Sequence, residues 1–259
     1  MRMNKHNVWT LYGRDMAGMM RACVLPCLVH KPSIHEQVLT FWLMPRYNRP
    51  PLVLPPSGGY HHLISFQVAR LLYDMTVRFV DRYIPKGSRT WDQMEQAARS
   101  GVRNIAEGSV LSATTKKLEM NLTNVARASL DELKSDYEDF LTQRKLPLWT
   151  ARDPRRYELT KARCKDAEEL ARWIRSVWNG EKEERLALPE APRTARTPTT
   201  VKEQAYAEIS ANVGQALCVV AIGLLSNQVD SQARTFEREG GFSERLYKVR
   251  KEIRAANRD

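Results

Sequence analysis

A chain of 259 residues is long enough for one large domain or two small ones, and its 42% hydrophobic share supplies a core and excludes global disorder. The net charge of +11 favours polyanion partners, although charge speaks to association and not to fold. The four cysteines (Cys23, Cys27, Cys164, Cys218) lack disulfide-framework spacing and fit a reducing, cytoplasmic setting, and the longest apolar run, Ala216 to Leu225, is about half a membrane span.

Residues 1–58 carry no persistent apolar period, several Met and Trp residues, and a proline run at Pro50, Pro51, Pro55 and Pro56. They are expected to be a poorly ordered extension without signal-peptide order, with Met44 as an alternative start. This stretch holds seven Lys/Arg against two Asp/Glu, so much of the positive excess lies outside the best-patterned region.

Residues 59–150 are expected to form three helices. The first runs from His62 to Ile84, with Phe66, Ala69, Tyr73, Thr76, Val77, Val80 and Ile84 as its buried stripe, and stops at Pro85 and Gly87. The second runs from Trp91 to Glu107, capped by Thr90 with Gln93 completing a capping box, and ended by Gly108 in the left-handed region. The third runs from Thr115 to Arg144 behind Ser112 or Thr114 as cap, about 45 Å at 1.5 Å per residue, and Pro147 closes it. Its stripe is Leu118, Leu122, Val125, Ser129, Leu133, Tyr137 and Phe140.

Asp153-Pro154 opens a highly charged inserted helix within 151–180, and 181–199 reads as a Pro- and Thr-rich linker. The next long helix fills 200–240, from the Thr200 cap with Glu203 to Gly240-Gly241. Ala205, Ile209, Val213, Leu217, Val220, Leu224 and Val229 face its core. Within 241–259, Ser243 caps a short basic amphipathic helix from Glu244 to Asn257. No segment alternates with period two between hairpin turns. The fold class expected is therefore all-α: an antiparallel up-down four-helix bundle with an extra helix between its third and fourth members and a short C-terminal helix.

Four blocks of sequence carry a resemblance. Helix one has Ser65-Phe66-Gln67, Tyr73-Asp74-x-Thr76, Phe79 and Asp81-Arg82. Helix two has Asp92-Gln93-Met94-x-Gln96-Ala97-Ala98-Arg99-Ser100-Gly101 and then Asn104-Ile105-Ala106-Glu107-Gly108-Ser109. Helix three has Leu122-Thr123-x-Val125-Ala126-Arg127-Ala128-Ser129-Leu130-x-Glu132-Leu133 and Asp136-Tyr137-Glu138-Asp139-Phe140-Leu141, and the end has Gly240-Gly241-Phe242-x-Glu244-Arg245-Leu246-Tyr247. In this order they resemble the bacterial four-helix bundle protein family, in its four helix bundle suffix domain branch. Proteins encoded in ribosomal RNA intervening sequences and accessory variability proteins of diversity-generating retroelements belong to the wider family. The resemblance spans Ser57 to Arg250, loosely over 151–198, and Asn104, Ile105, Ala106, Glu107 and Gly108 form its most specific part. It implies a homo-oligomer, often a pentameric barrel of bundles with a basic surface. For the retroelement relatives it implies binding to nucleic acid and to a reverse transcriptase.

The residues read alone offer one candidate function, binding through cations. Arg78, Arg82, Lys86 and Arg89 surround the turn between helices one and two, Arg99 and Arg103 share a face of helix two, and Lys116 and Lys117 open helix three. The plainer alternative is a solvated surface with local pairs such as Asp74–Arg78. Glu107 is expected to be structural, accepting from a neighbouring Arg or loop amide, and the acidic run Asp131, Glu132, Asp136, Glu138 and Asp139 to be a solvated face rather than a Mg²⁺ site. Cys23, Cys27, His30 and His35 match no compact zinc spacing. Tyr60, Trp91 and Trp149 could stack on bases, with packing at helix ends the other use, and His61 and His62 are expected to be exposed. No catalytic triad, phosphate loop or dinucleotide fingerprint is present. The expectation is a non-enzymatic accessory protein with no cofactor or metal and no membrane span, binding nucleic acid. A protein–protein scaffold without nucleic acid is the alternative.

Overall fold

The first described turn, Tyr60–His62, is anchored by Gly58, whose N–H donates to the Ser109 carbonyl at 3.1 Å from a backbone at φ +82°. The computed structural model describes residues 57–187 and 200–256, all of them within one compact unit, Val53–Asp259. Among the described residues there is no strand. The helices are α1 (Ile64–Tyr83), α2 (Arg89–Leu111), α3 (Lys116–Gln143), α4 (Pro154–Ala162), α5 (Ala167–Ala187), α6 (Val201–Glu239) and α7 (Phe242–Ala256). The expectations for residues 1–56, including the extension, the Met44 start and the Cys23, Cys27, His30 and His35 set, lie outside the described residues, as do those for 188–199.

Helices α1, α2, α3 and α6 pack in a closed ring, α1 on α2, α2 on α3, α3 on α6 and α6 on α1. Tyr137, Leu72, Met94, Ile105, Leu130, Leu133, Leu141, Ile209 and Leu225 are fully buried at its centre. In α1 the stripe sits around Leu72, Met75 and Phe79, while Phe66, Tyr73 and Val77 are half-buried at its edge. Ile84 leaves the helix in extended backbone at φ −110° and ψ 134°, as a residue before proline must.

Several expected boundaries shift. The cap of α2 is Ser88, whose hydroxyl accepts from Trp91 N–H at 3.3 Å, and Thr90 lies inside the helix. Gly108 does not end α2. It is buried inside the last turn of α2, where an added Cβ would lie 3.3 Å from the Glu119 carbonyl oxygen and 3.4 Å from Leu122 Cβ, so its use is close approach of α3. Thr115 stands at the start of α3 without a side-chain cap bond, in place of Ser112 or Thr114. The first half of the α3 stripe is rotated by about one residue: Thr123, Ala126 and Leu130 are buried, whereas Leu118 and Val125 are exposed. A Schellman motif closes α3, with Lys145 at φ +54° and Leu146 N–H donating to the Leu141 carbonyl at 2.9 Å.

The expected single inserted helix is two. Asp153 caps α4, whose Pro154 occupies the first turn, and Arg163 ends it in the left-handed region at φ 46°. Asp166 then accepts from the N–H groups of Glu168 and Glu169 at 2.9 and 2.8 Å and starts α5, which runs on to Ala187 through the first part of the expected linker. Thr200 caps α6 as read, accepting from Glu203 N–H at 3.2 Å, and Gly240 ends it at φ +71°. On α6, Ala221 and Leu225 take the buried positions expected of Val220 and Leu224, which are half-buried. Ser243 lies inside α7, where Glu244 instead accepts from Gly241 N–H at 2.9 Å. The stretch Val201–Ala255 is long and apolar enough to cross a membrane by length and composition, and 56% of its most apolar window is buried against the rest of the protein, as in a core helix.

A polar line interrupts the apolar face of α6. Glu208, Asn212 and Gln215, spaced four and three apart, are all buried. Glu208 takes a bidentate pair from Arg185 at 2.7 and 2.9 Å, and Arg185 Nε also donates to Glu181 at 2.7 Å. Asn212 accepts from Trp149 N–H at 2.7 Å and donates to the Pro147 carbonyl at 2.9 Å, and Gln215 accepts from Arg156 at 2.8 Å. This line docks the loop after α3, α4 and α5 onto α6.

Candidate anion-binding cleft

The outer edge of α1 presents Arg78 and Arg82 one turn apart, beside Met75 and Phe79, which reach the core. Opposite, α5 presents Ala167, Leu170, Ala171, Ile174 and Arg175, and the first turns of α6 present Lys202, Tyr206 and Ser210. With Tyr83 these residues line an open cleft of about 460 Å³. Ala167 and Ala171 are the smallest side chains of the lining. Leu170, Phe79 and Met75 are buried in the floor at 1, 2 and 6% exposure.

The lining holds four cations, Arg78, Arg82, Arg175 and Lys202, and no carboxylate, thiol or imidazole. Arg78 is tethered at the mouth by Glu168 at 2.7 Å, a pair exposed on both sides and therefore weak. Arg82 lies over the Tyr83 ring at 5.7 Å. Burial raises the Tyr83 phenol above its ordinary value, and the Arg82 charge and the Ser210 hydroxyl oppose that shift. The phenol therefore stays protonated at neutral pH. The chemistry available is attraction of negative charge plus cover for an apolar or aromatic body.

The cations expected from the sequence do not form one patch. Arg78 and Arg82 enter the cleft, Lys86 is exposed in the turn that follows α1, and Arg89 is exposed as the first residue of α2. Arg99 and Arg103 are exposed on α2, which forms no part of the cleft. Lys116 and Lys117 open α3 after the opposite end of α2, a helix about 34 Å long at 1.5 Å per residue. Lys116 is further offset by Glu119 at 2.9 Å. Instead of the expected Asp74–Arg78 pair, Asp74 meets Arg70 at 3.2 Å.

The Asn104 to Gly108 block is placed mainly by packing. Asn104 Nδ2 donates to the Ser100 carbonyl and hydroxyl at 2.9 and 3.0 Å, and Ser100 meets Ser129 of α3 at 3.0 Å. Ile105 is core, Ala106 half-buried, and Glu107 exposed. The bond expected to Glu107 from an Arg or loop amide is not formed among the described residues.

The acidic run of α3 is spread as read. Asp131 pairs with Lys134 at 2.6 Å, Glu138 accepts from Gln215 at 2.9 Å, and burial, with Asp139 and Glu132 adding, pushes Asp136 up to about 6. Among the described residues no group of three His, Cys, Asp or Glu could hold a metal ion. Of the expected stacking rings, Trp149 is buried under Arg155 at 4.4 Å, Trp91 is half-buried against the core, and Tyr60 packs on Phe66 at 4.8 Å. His61 and His62 are exposed.

Sequence reasoning missed Arg175, Lys202, Tyr206 and Ser210. The signal for the α5 wall was present as the spacing of Ala167, Leu170, Ala171 and Ile174, an apolar stripe inside a stretch read as highly charged, with Leu170 buried and the other three half-buried. No family model, curated protein or solved structure matches the chain.

Proposed function

We propose that this chain is a non-enzymatic accessory protein that binds nucleic acid at the cleft end of an antiparallel up-down four-helix bundle formed by α1, α2, α3 and α6. The convergence of Arg78, Arg82, Arg175 and Lys202 on a cleft without a lining acid carries the reading. Lys86, exposed in the turn after α1, and Arg89, exposed at the start of α2, extend the same field. The closed ring of helix contacts supports the bundle, and the four sequence blocks support kinship with the bacterial four-helix bundle proteins. On that kinship the protein works in the bacterial cytoplasm as a homo-oligomer, with a pentamer and a reverse transcriptase partner as its specific forms. Repetition around a ring would turn one modest patch into a continuous band.

Gel-shift or anisotropy titrations with RNA and DNA over a salt series test the function. Six phosphate contacts give a slope of log affinity on log salt of about −4 to −5. No binding at low salt overturns the proposal. Light scattering tests assembly, and a monomer at micromolar concentration rejects the oligomer. One observation favours a second reading, a protein-binding scaffold: α7 carries Phe242, Leu246, Val249 and Ile253 on one face, and Ile253 is 55% exposed. Recovery of a single protein partner after nuclease treatment supports that alternative.

A further inference from the structure

We propose that the cleft receives an unpaired base of a single-stranded nucleic acid, which rests on the nucleic-acid reading above and names the form of the ligand. The rim cations by themselves would favour a duplex, whose charge density is higher than that of a single strand. The floor argues the other way. Phe79, Leu170 and Ile174 give the lining apolar cover and Tyr83 and Tyr206 give it two aromatic rings, in a volume of about 460 Å³, within the range of small-ligand pockets, about 300–1,000 Å³. A base held in a duplex keeps its faces stacked on its neighbours and cannot enter. Only a splayed base buries itself there.

The cations are placed to fit a strand passing over the cleft. Arg78 and Arg82 belong to the α1 wall, Arg175 to the α5 wall and Lys202 to the first turn of α6, so positive charge stands on each side of the apolar floor. Phosphates before and after the inserted nucleotide would meet different walls. Tyr206 and Ser210 add neutral hydroxyl-bearing residues to the lining, able to hydrogen-bond a base edge without a charge being buried. Tyr206 also packs against buried Trp178, ring centroids 5.8 Å apart.

The test uses the full chain, a labelled unstructured oligonucleotide as RNA and as DNA, and the same sequences annealed into duplex, all at matched salt. The single strand is expected to bind roughly tenfold more tightly than the duplex, the scale of stacking one base on an aromatic surface. Ile174→Trp and the smaller Ala171→Leu fill the cleft while keeping all four cations, and both should bring the ratio of single-strand to duplex affinity close to one. Lys86→Glu, outside the cleft, should weaken both ligands together and keep the ratio. Circular dichroism melting checks that each variant folds, and the wild-type ratio decides even if a filled variant does not. Equal binding of single strand and duplex by the wild type, or a ratio unmoved by both folded filling variants, overturns the inference and leaves the broader reading standing. No binding to either form at low salt defeats the broader reading itself.

Discussion

Helix α6 is gripped on two sides by different means. Toward α3, Tyr137 lies flat over the backbone of Gly214, fully buried, with its hydroxyl 2.9 Å from Thr76 Oγ1. Toward the α4–α5 arm, the same helix offers Glu208, Asn212 and Gln215 and is met by Arg185, Trp149 N–H and Arg156. The ring is thus fixed by shape and the arm by directed ionic and amide bonds around a smaller apolar set, Leu159, Leu170 and Trp178. The cleft lies between the two, with one wall on ring helix α1 and one on arm helix α5, so the geometry of its cations depends on the polar grip.

The largest way to break the contrast is Glu208→Ala. Arg185 loses its bidentate partner but keeps Glu181, so the expected cost is about 3 kcal/mol, the low end for an interrupted buried pair. The loss should be local. Amide hydrogen exchange should rise along α5 while α3 and the middle of α6 stay protected, and uniform deprotection of both would show that ring and arm are one cooperative unit. Gly214→Ala probes the other side. An added Cβ would overlap the Tyr137 ring, which cannot swing away without breaking its bond to Thr76. Overpacking of about 1–3 kcal/mol set against a helix-propensity gain of about 1 kcal/mol leaves a net loss of up to about 2 kcal/mol. Gly101→Ala is the comparison, because its Cβ would meet Leu130 Cδ2 and Cγ at 2.5 and 2.9 Å, an aliphatic side chain that no hydrogen bond holds in place. Thermal melts should rank Gly214→Ala well below Gly101→Ala.

The two regions differed in how plainly the sequence announced them. The all-helical class and the long segments of α1, α2, α3 and α6 could be read, because apolar periodicity and strong stops such as Pro85, Pro147 and Gly240 mark them. Gly108 was misread because a glycine that ends a helix and one that lets a neighbour approach look the same until the neighbour is known. The arm was misread for a related reason. It was read as one inserted helix with a highly charged surface, while it is two helices in which Arg155, Glu181 and Arg185 pair with one another and with Glu208. The cleft was the least legible feature. Arg82, Arg175 and Lys202 lie on three helices far apart in the chain, and no local spacing joins them.

A smaller effect of opposite sign is expected at the junction where the ring passes to the arm. Lys145 holds the left-handed position of the Schellman motif at φ +54°, where a Cβ is strained and glycine is not. Lys145→Gly should stabilise by about 1 kcal/mol, read as a raised midpoint in urea with an unchanged slope. A lowered midpoint would mean that the lysine side chain does more there than tolerate the turn.

The smallest effects separate ring from arm by pH. On the arm, the hydrogen bond from Arg155 holds the Asp153 carboxyl below its ordinary value. Asp153 therefore contributes stability above the unfolded value of about 3.9 that is lost as pH falls through the lower folded value. On the ring, burial first, then Asp139 and Glu132, pushes Asp136 up to about 6. Its protonated form is the one folding favours, so that contribution is complete below about pH 3.9 and disappears as pH rises through about 6. Asp136→Asn keeps a neutral side chain at every pH. Its melting temperature should exceed the wild type's at pH 7.5, and the difference should shrink toward pH 4, whereas Asp153→Asn should lie below the wild type at pH 7.5 and approach it only on strong acidification. If both variants moved in the same direction at pH 7.5, the carboxylates of ring and arm would share one electrostatic environment, and the division between a shape-held ring and an ion-held arm would not describe how the protein stands.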